Sequence, residues 1–208
     1  PTGIAHGTVT ILFMGQSIEA TTYRIEKDYT DGRHPDKVEY ASKIEEDLSR
    51  RDFTMNAIAA SLADGSIVDP FGGQIDIQQK TIRTVGNPLE RFSEDGLRPV
   101  RALRFAAQLG FEIEPETLKA IPVTNHITKG ISIERFRDEF VKMLKSPKPS
   151  VALNLMEKTG ILEMFLPELF ECRNVLQKDI RGFHSFDVLD HLIYALDGVI
   201  LASKNQAS

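Results

Sequence analysis

What most narrows the possible folds is a change of texture at Asn87-Pro88. Before it, short β-branched runs alternate with turn residues. Gly7-Thr-Val-Thr-Ile-Leu-Phe13 and Ile18-Glu-Ala-Thr-Thr-Tyr23 flank Met14-Gly15-Gln16, which predicts a hairpin. Asp28, Asp31, Gly32, Pro35 and Asp36 make residues 28–37 turn-rich, the composition of a mobile surface loop. A helical stretch with a break near Asp52 is expected over Ile44–Leu62. Ala63-Asp64-Gly65-Ser66 then turns into Ile67-Val68-Asp69, and Thr81–Val85 is a further strand candidate. After Pro88 the pattern is helical. Ser93 is expected to cap a helix that runs to Leu109 and stops at Gly110, with further helices over Ile133–Lys145 and Ser150–Thr159. Leu166-Pro167-Glu168-Leu169 bends the chain before a last helix near Val188–Leu201. An α/β head to about residue 88 followed by an all-helical body is the simplest architecture.

Composition narrows the setting. Of 208 residues, 41% are hydrophobic and 26% charged, the balance of a soluble globular protein, and no apolar run reaches the ~18 residues of a membrane span. The lone cysteine, Cys172, rules out an internal disulfide and suits a reducing cytoplasm. The net charge of −5 speaks mildly against nucleic acid. Local charge differs, because Lys129, Arg135, Arg137, Lys142, Lys145 and Lys148 outnumber Glu134, Asp138 and Glu139 over residues 128–148. A solvated helix face accounts for that excess as readily as a phosphate-binding one.

Two constellations carry chemistry. In Arg50-Arg51-Asp52-Phe53-Thr54-Met55-Asn56-Ala57, paired arginines beside an aspartate suit an anionic ligand. The competing account is structural: Asp52 caps a helix and Arg51 pairs with Asp47 one turn back. In Glu94-Asp95-Gly-Leu-Arg98-Pro-Val-Arg101-Ala-Leu-Arg104-Phe105, Asp95 and three arginines recur every third residue, beside an apolar stripe of Leu97, Val100, Leu103 and Ala107. Three arginines against one aspartate repel unless an anion or further carboxylates lie against them, and a partly paired surface face is the alternative. Pro99 within this stretch removes a backbone hydrogen bond to Asp95. Asp69-Pro-Phe-Gly-Gly73 reads as a tight turn opening a short helix.

Together these segments resemble class II CCA-adding enzymes and bacterial poly(A) polymerases. Thr2–Thr10 looks like the strand after their catalytic motif, Arg50–Ala57 like their ribose-and-phosphate motif, and Asp69–Gly73 like their head-to-neck turn. Glu94-Asp95-x-x-Arg98-x-x-Arg101, continued by Phe105–Phe111, looks like their nucleotide-selecting helix. The resemblance implies a partial nucleotidyltransferase head over residues 1–88 and a helical neck and RNA-binding body over 89–170. Residues 171–208 would begin an HD-like helical domain. It implies addition of C and A to the 3′ end of tRNA from CTP and ATP. A poly(A)- or A-adding enzyme and a non-catalytic RNA-binding fragment remain as alternatives. Arg51, Asp52 and Asn56 would hold triphosphate and ribose. Asp95 and Arg98 would choose the base, supported by Arg101 and Arg104. Arg135, Arg137, Lys142 and Lys145 would hold RNA phosphates. The family's Asp-x-Asp pair, which binds magnesium, is expected before Pro1 and occurs nowhere in the chain; Glu19 resembles a third acidic position. The 208 residues alone are therefore expected to add no nucleotide. His184-Ser-Phe-Asp187-Val-Leu-Asp190-His191 resembles the opening of an HD phosphohydrolase without its full ligand set, so no metal is expected there.

Overall fold

The computed structural model describes residues 8–27, 37–176 and 186–206. Thr2–Gly7, the expected loop at 28–37 apart from Lys37, and His184 lie outside them. The hairpin forms as predicted: β1 (Thr8–Phe13) pairs antiparallel with β2 (Gln16–Thr21), Thr8 opposite Thr21 and Phe13 opposite Gln16. Its loop is the two residues Met14 (φ 49°) and Gly15 (φ 76°). Consecutive positive φ values match the right-handed twist of the flanking strands, and the second falls on the residue without a Cβ. β3 (Arg24–Lys27) pairs antiparallel with β4 (Lys37–Tyr40).

The break expected near Asp52 within Ile44–Leu62 is present, but the helix does not resume after it, which is a correction. Only α1 (Ile44–Ser49) is helical, followed by a 3-10 turn at Thr54–Asn56. Between them Phe53 forms an antiparallel bridge with Thr84, the Thr54 N–H donating to Arg83 O (2.9 Å) and the Val85 N–H to Asp52 O (3.1 Å). Phe53 and Ala57 have the i, i+4 spacing of one helix face, yet they bury in different clusters. Phe53 joins the main core, while Ala57 packs with Leu48 and Val85. Tertiary burial overrides the local period here. β5 (Ala59–Ala60) and β6 (Ile67–Val68) close the expected second hairpin. α2 (Gly73–Gln78) begins after Gly72, whose φ is 73°. Burial pushes the Asp69 carboxyl up, but the N–H groups of Gln74 (2.9 Å) and Gly73 (2.7 Å) outweigh it and hold it below its usual range. The Asp69–Gly73 segment thus opens a short helix, as its sequence predicts.

β7 (Thr81–Ile82) is the start of the expected strand and pairs in parallel with β8 (Glu112–Ile113). The single helix expected from Ser93 to Leu109 is two. α3 (Pro88–Glu94) is capped by the Asn87 side chain, which accepts from Leu89 N–H, with Pro88 in the first position. Ser93 caps nothing; its hydroxyl donates to Leu89 O within α3 (2.7 Å). Asp95, extended at φ −147° and ψ 111°, breaks the helix and accepts the Leu97 N–H at 3.0 Å to open α4 (Leu97–Leu109). Pro99 therefore falls in the first turn of α4, where backbone N–H groups have no intrahelical partner. The lost hydrogen bond to Asp95 does not arise.

Gly110, at φ 67°, ends α4. The body continues with α5 (Pro115–Val123), α6 (Asn125–Thr128), α7 (Ile133–Leu144) and α8 (Pro149–Thr159). α9 (Ile161–Phe165), α10 (Pro167–Phe170) and α11 (Val188–Gln206) follow. α4 is central. Val100, Leu103 and Ala107 of its apolar stripe are buried among Phe136 and Met143 of α7 and Leu153 and Met156 of α8. Each such buried aliphatic or aromatic side chain is worth roughly 1.5–3 kcal/mol. α11 closes on the same core through Leu189 and Ile193, and its Asp197 accepts from the Ser150 N–H (3.0 Å) and hydroxyl (2.6 Å). The result is an α/β head with small sheets followed by a helical body.

Candidate functional site

Burying α4 on one side leaves its first two turns facing the head. Between them and the Arg50–Asn56 segment lies a cavity of about 470 Å³. Arg50, Arg51, Arg98, Arg101 and Arg135 line it against Asp52 and Asp95, with Phe105 and Leu97 as apolar wall. Five guanidinium groups against two carboxylates in the lining give the cavity an excess of positive charge.

The head wall is held by short-range bonds. Asp47, buried in α1, accepts from Arg50 (2.7 Å) and Arg51 (3.4 Å). The Arg51–Asp47 pair of the structural account thus exists, and the same Arg51 reaches the cavity. Asp52 accepts from its neighbour Phe53 N–H (2.9 Å) and from the Asn56 amide (3.0 Å). Its other oxygen takes Arg101 from α4 at 2.7 Å. Arg51 also donates to Asn56 O at 3.3 Å. The head motif and the α4 motif, 49 residues apart, are therefore joined by one ion pair.

On the α4 wall, Arg98 is 8% exposed and its guanidinium is largely committed. It pairs with Glu94 and donates to Arg91 O (2.8 Å) and Arg50 O (3.1 Å). The Asp95 carboxylate lines the same cavity. Six of the seven expected nucleotide-binding residues, Arg51, Asp52, Asn56, Asp95, Arg98 and Arg101, line the one cavity.

Arg104 does not, and this corrects the expectation that it supports base and phosphates. The three-residue spacing drifts around the helix, so Arg104 turns to α7, where it pairs with the buried Glu139 and lies 3.8 Å over the Phe105 ring. Burial pushes the Glu139 carboxyl up, but a hydrogen bond from Lys142 (2.7 Å) and the Arg104 charge hold it below its usual range.

Arg135 also lies elsewhere than its sequence position suggests. Expected among RNA contacts, it reaches back from α7 and donates to both oxygens of Asp95 at 2.9 and 3.1 Å, inside the cavity. Nothing local signals this contact across 40 residues. Arg50 and Phe105 are also cavity residues that sequence reasoning missed. Arg50 was legible as half of the arginine pair and Phe105 as the residue one turn after Arg101. Of the other expected RNA contacts, Arg137 is exposed and pairs with Asp138, Lys142 is half exposed on Glu139, and Lys145 is exposed. Glu19 is exposed on β2 and lines a neighbouring cleft of about 510 Å³ with Tyr23, Asp47, Arg50 and Arg51.

Among the described residues no three or more His, Cys, Asp or Glu side chains come together to hold a metal ion. In the HD-like segment, Asp187 and Asp190 instead take Arg173 at 3.0 and 2.9 Å, and His191 is exposed. None of the described helices is long and apolar enough to cross a membrane.

Two family models match: "Poly A polymerase head domain" over residues 1–83 and "Probable RNA and SrmB- binding site of polymerase A" over residues 110–172. The CCA-adding enzyme of Geobacillus sp. (strain WCH70) is 48% identical over 179 residues, 86% of this chain and 44% of that protein. That of Bacillus subtilis (strain 168) is 45% identical over 195 residues, 93% of this chain and 49% of the relative. The chain thus spans less than half the length of these relatives. Among solved structures, the Bacillus stearothermophilus CCA-adding enzyme in complex with CTP superposes with a TM-score of 0.69 at 43% identity, covering 77% of this chain and 38% of that one. A tRNA nucleotidyltransferase complexed with a primer tRNA and an incoming ATP analog gives 0.66 at 30% identity, covering 95% and 54%.

Proposed function

The chain belongs to the family of CCA-adding enzymes and bacterial poly(A) polymerases, and on that premise we propose that it forms the nucleotide-binding head and neck of an enzyme adding C and A to the 3′ end of tRNA. The observation that carries this reading is the single cavity in which Arg50 and Arg51 face Asp95 and Arg98. One wall offers guanidinium donors for a triphosphate, with Asp52 and Asn56 placed for the ribose. The other offers a carboxylate acceptor beside a guanidinium donor. Cytosine and adenine both present an amino donor next to a ring-nitrogen acceptor, which that pair complements. Uracil and guanine present the reverse and leave buried groups unpaired, at roughly 1–3 kcal/mol each.

Arg101 ties the two walls through Asp52, so phosphate binding and base reading share one frame. Arg137 and Lys142 on α7 and Lys145 at its C-terminal cap, within the segment matched by the RNA-binding family model, supply charge for the tRNA backbone. Magnesium, which activates nucleotidyl transfer in the family resemblance, finds no ligand set among the described residues, and none of them is assigned to it. A cytoplasmic location follows from tRNA as substrate.

The test is incorporation by the full-length protein of each of four nucleoside triphosphates into tRNA ending before CCA. The proposal expects CTP and ATP to be used and UTP and GTP refused. Use of ATP alone would make the enzyme a poly(A) or A-adding one.

A further inference from the structure

We propose that Arg91 is a positioning residue for the nucleotide cavity, holding the Arg50-Arg51-Asp52 wall in place against α4; the inference rests on the nucleotide-binding reading above. Arg91 lies on α3 and is not part of the cavity lining. Its guanidinium makes three directed contacts. Nη2 donates to Ser49 O at 2.8 Å, Nε donates to Val85 O at 3.0 Å, and Nη1 pairs with Glu94 at 2.8 Å.

These acceptors bracket the wall. Ser49 ends α1 and immediately precedes Arg50, and the last carbonyls of a helix lack intrahelical partners. Val85 donates its N–H to Asp52 O at 3.1 Å, so it is the strand neighbour of the wall's other end. Glu94, the third partner, also pairs with Arg98, and Arg98 donates to Arg50 O. One guanidinium therefore fixes both ends of the Arg50–Asp52 segment to the carboxylate that orients the base-reading arginine.

The group suits the task. Its side chain is 14% exposed, so water screens it little. Charged donors bind carbonyls more strongly than neutral ones, and the planar fork reaches three acceptors where a lysine ammonium has no matching geometry. Without it the head segment loses its register on α4, and positioning errors of about 1 Å are costly in such sites. The Glu94–Arg98 and Arg135–Asp95 pairs are both made without Arg91, so base preference should survive the change.

The experiment titrates the full-length protein, as wild type, Arg91→Met and Arg91→Lys, with CTP, UTP and inorganic tripolyphosphate, below each variant's melting transition. Both variants are expected to bind CTP and tripolyphosphate roughly tenfold more weakly, with the wild-type ratio of CTP to UTP affinity retained. Should Arg91→Met not fold, Arg91→Lys carries the test. A folded variant that melts earlier but binds CTP like wild type would overturn the proposal and make Arg91 a stability residue only. A variant that loses the CTP preference would also overturn it, since the effect would then run through the base-reading pair Asp95 and Arg98 and not through the Arg50–Asp52 wall. Wild type that binds no CTP would sink the nucleotide-binding reading itself.

Discussion

Removing Glu139 tests whether Arg104 is a strut of the neck or a nucleotide contact. Glu139 is 3% exposed and Arg104 8%, and α4 and α7 are joined through this pair. Glu139→Ala leaves a buried guanidinium with only the Gln108 side chain and the Phe105 face beside it. Breaking a buried pair in this way costs about 3–5 kcal/mol. Lys142, half exposed, regains water when its partner is lost, which places the expected value near the lower end, about 3 kcal/mol. For a chain of this size that is roughly 6–12 °C in melting temperature. The double variant Arg104→Met with Glu139→Met should stay within about 1 kcal/mol of wild type, because no charge remains buried. The sign with pH follows from the depressed Glu139 carboxyl. Its contribution is complete above the unfolded glutamate value of about 4.3 and is lost as pH falls through the lower folded value, so Glu139→Ala should flatten the acid limb of stability below about pH 4.3. Thermal melts from pH 3 to 7 and CTP titrations are the assays. A cost under 1 kcal/mol would refute the buried-pair argument. A tenfold loss of CTP affinity in Arg104→Met at an intact fold would return Arg104 to the cavity.

Asp95→Ala in the full-length enzyme should lose the preference for C and A over U and G while still binding triphosphate; equal slowing with all four nucleotides would leave Asp95 a helix opener only. Replacing Arg137 and Lys145 by Ala should weaken tRNA binding and lower its salt slope by about 2, without changing nucleotide affinity, and an unchanged slope would make them solvated surface groups. Gly73→Ala should destabilise the head by more than about 1–3 kcal/mol in chemical denaturation, because its Cβ would lie 2.2 Å from Thr54 O; a neutral effect would mean that α2 moves freely away from the 3-10 turn.

The first hairpin and the ends of α4, α7 and α8 were legible because their determinants are local: Met14-Gly15 at a positive-φ turn, Gly110 and Gly160 at left-handed helix ends, Pro149 at a helix start. The helix expected to continue beyond the break near Asp52 was misread because Phe53 and Ala57 mimic a helical face while serving two clusters. The split at Asp95 was missed because its cause is a side chain accepting the Leu97 N–H, which periodicity does not encode. At the site, the two arginine–aspartate motifs gave six cavity residues. The residues that escaped, Arg135 above all, act through contacts made only when α7 folds onto α4. Arg104 went the other way: its spacing fits the stripe, but a helix of 3.6 residues per turn carries the third repeat round to Glu139.

The most direct test of the account is a crystal structure of the chain with CTP. The account predicts the triphosphate against Arg50 and Arg51, and the cytosine amino group and ring nitrogen within about 2.7–3.2 Å of Asp95 and Arg98. Cytosine bound elsewhere, in the Glu19 cleft for example, or in the cavity without touching Asp95 and Arg98, would contradict it.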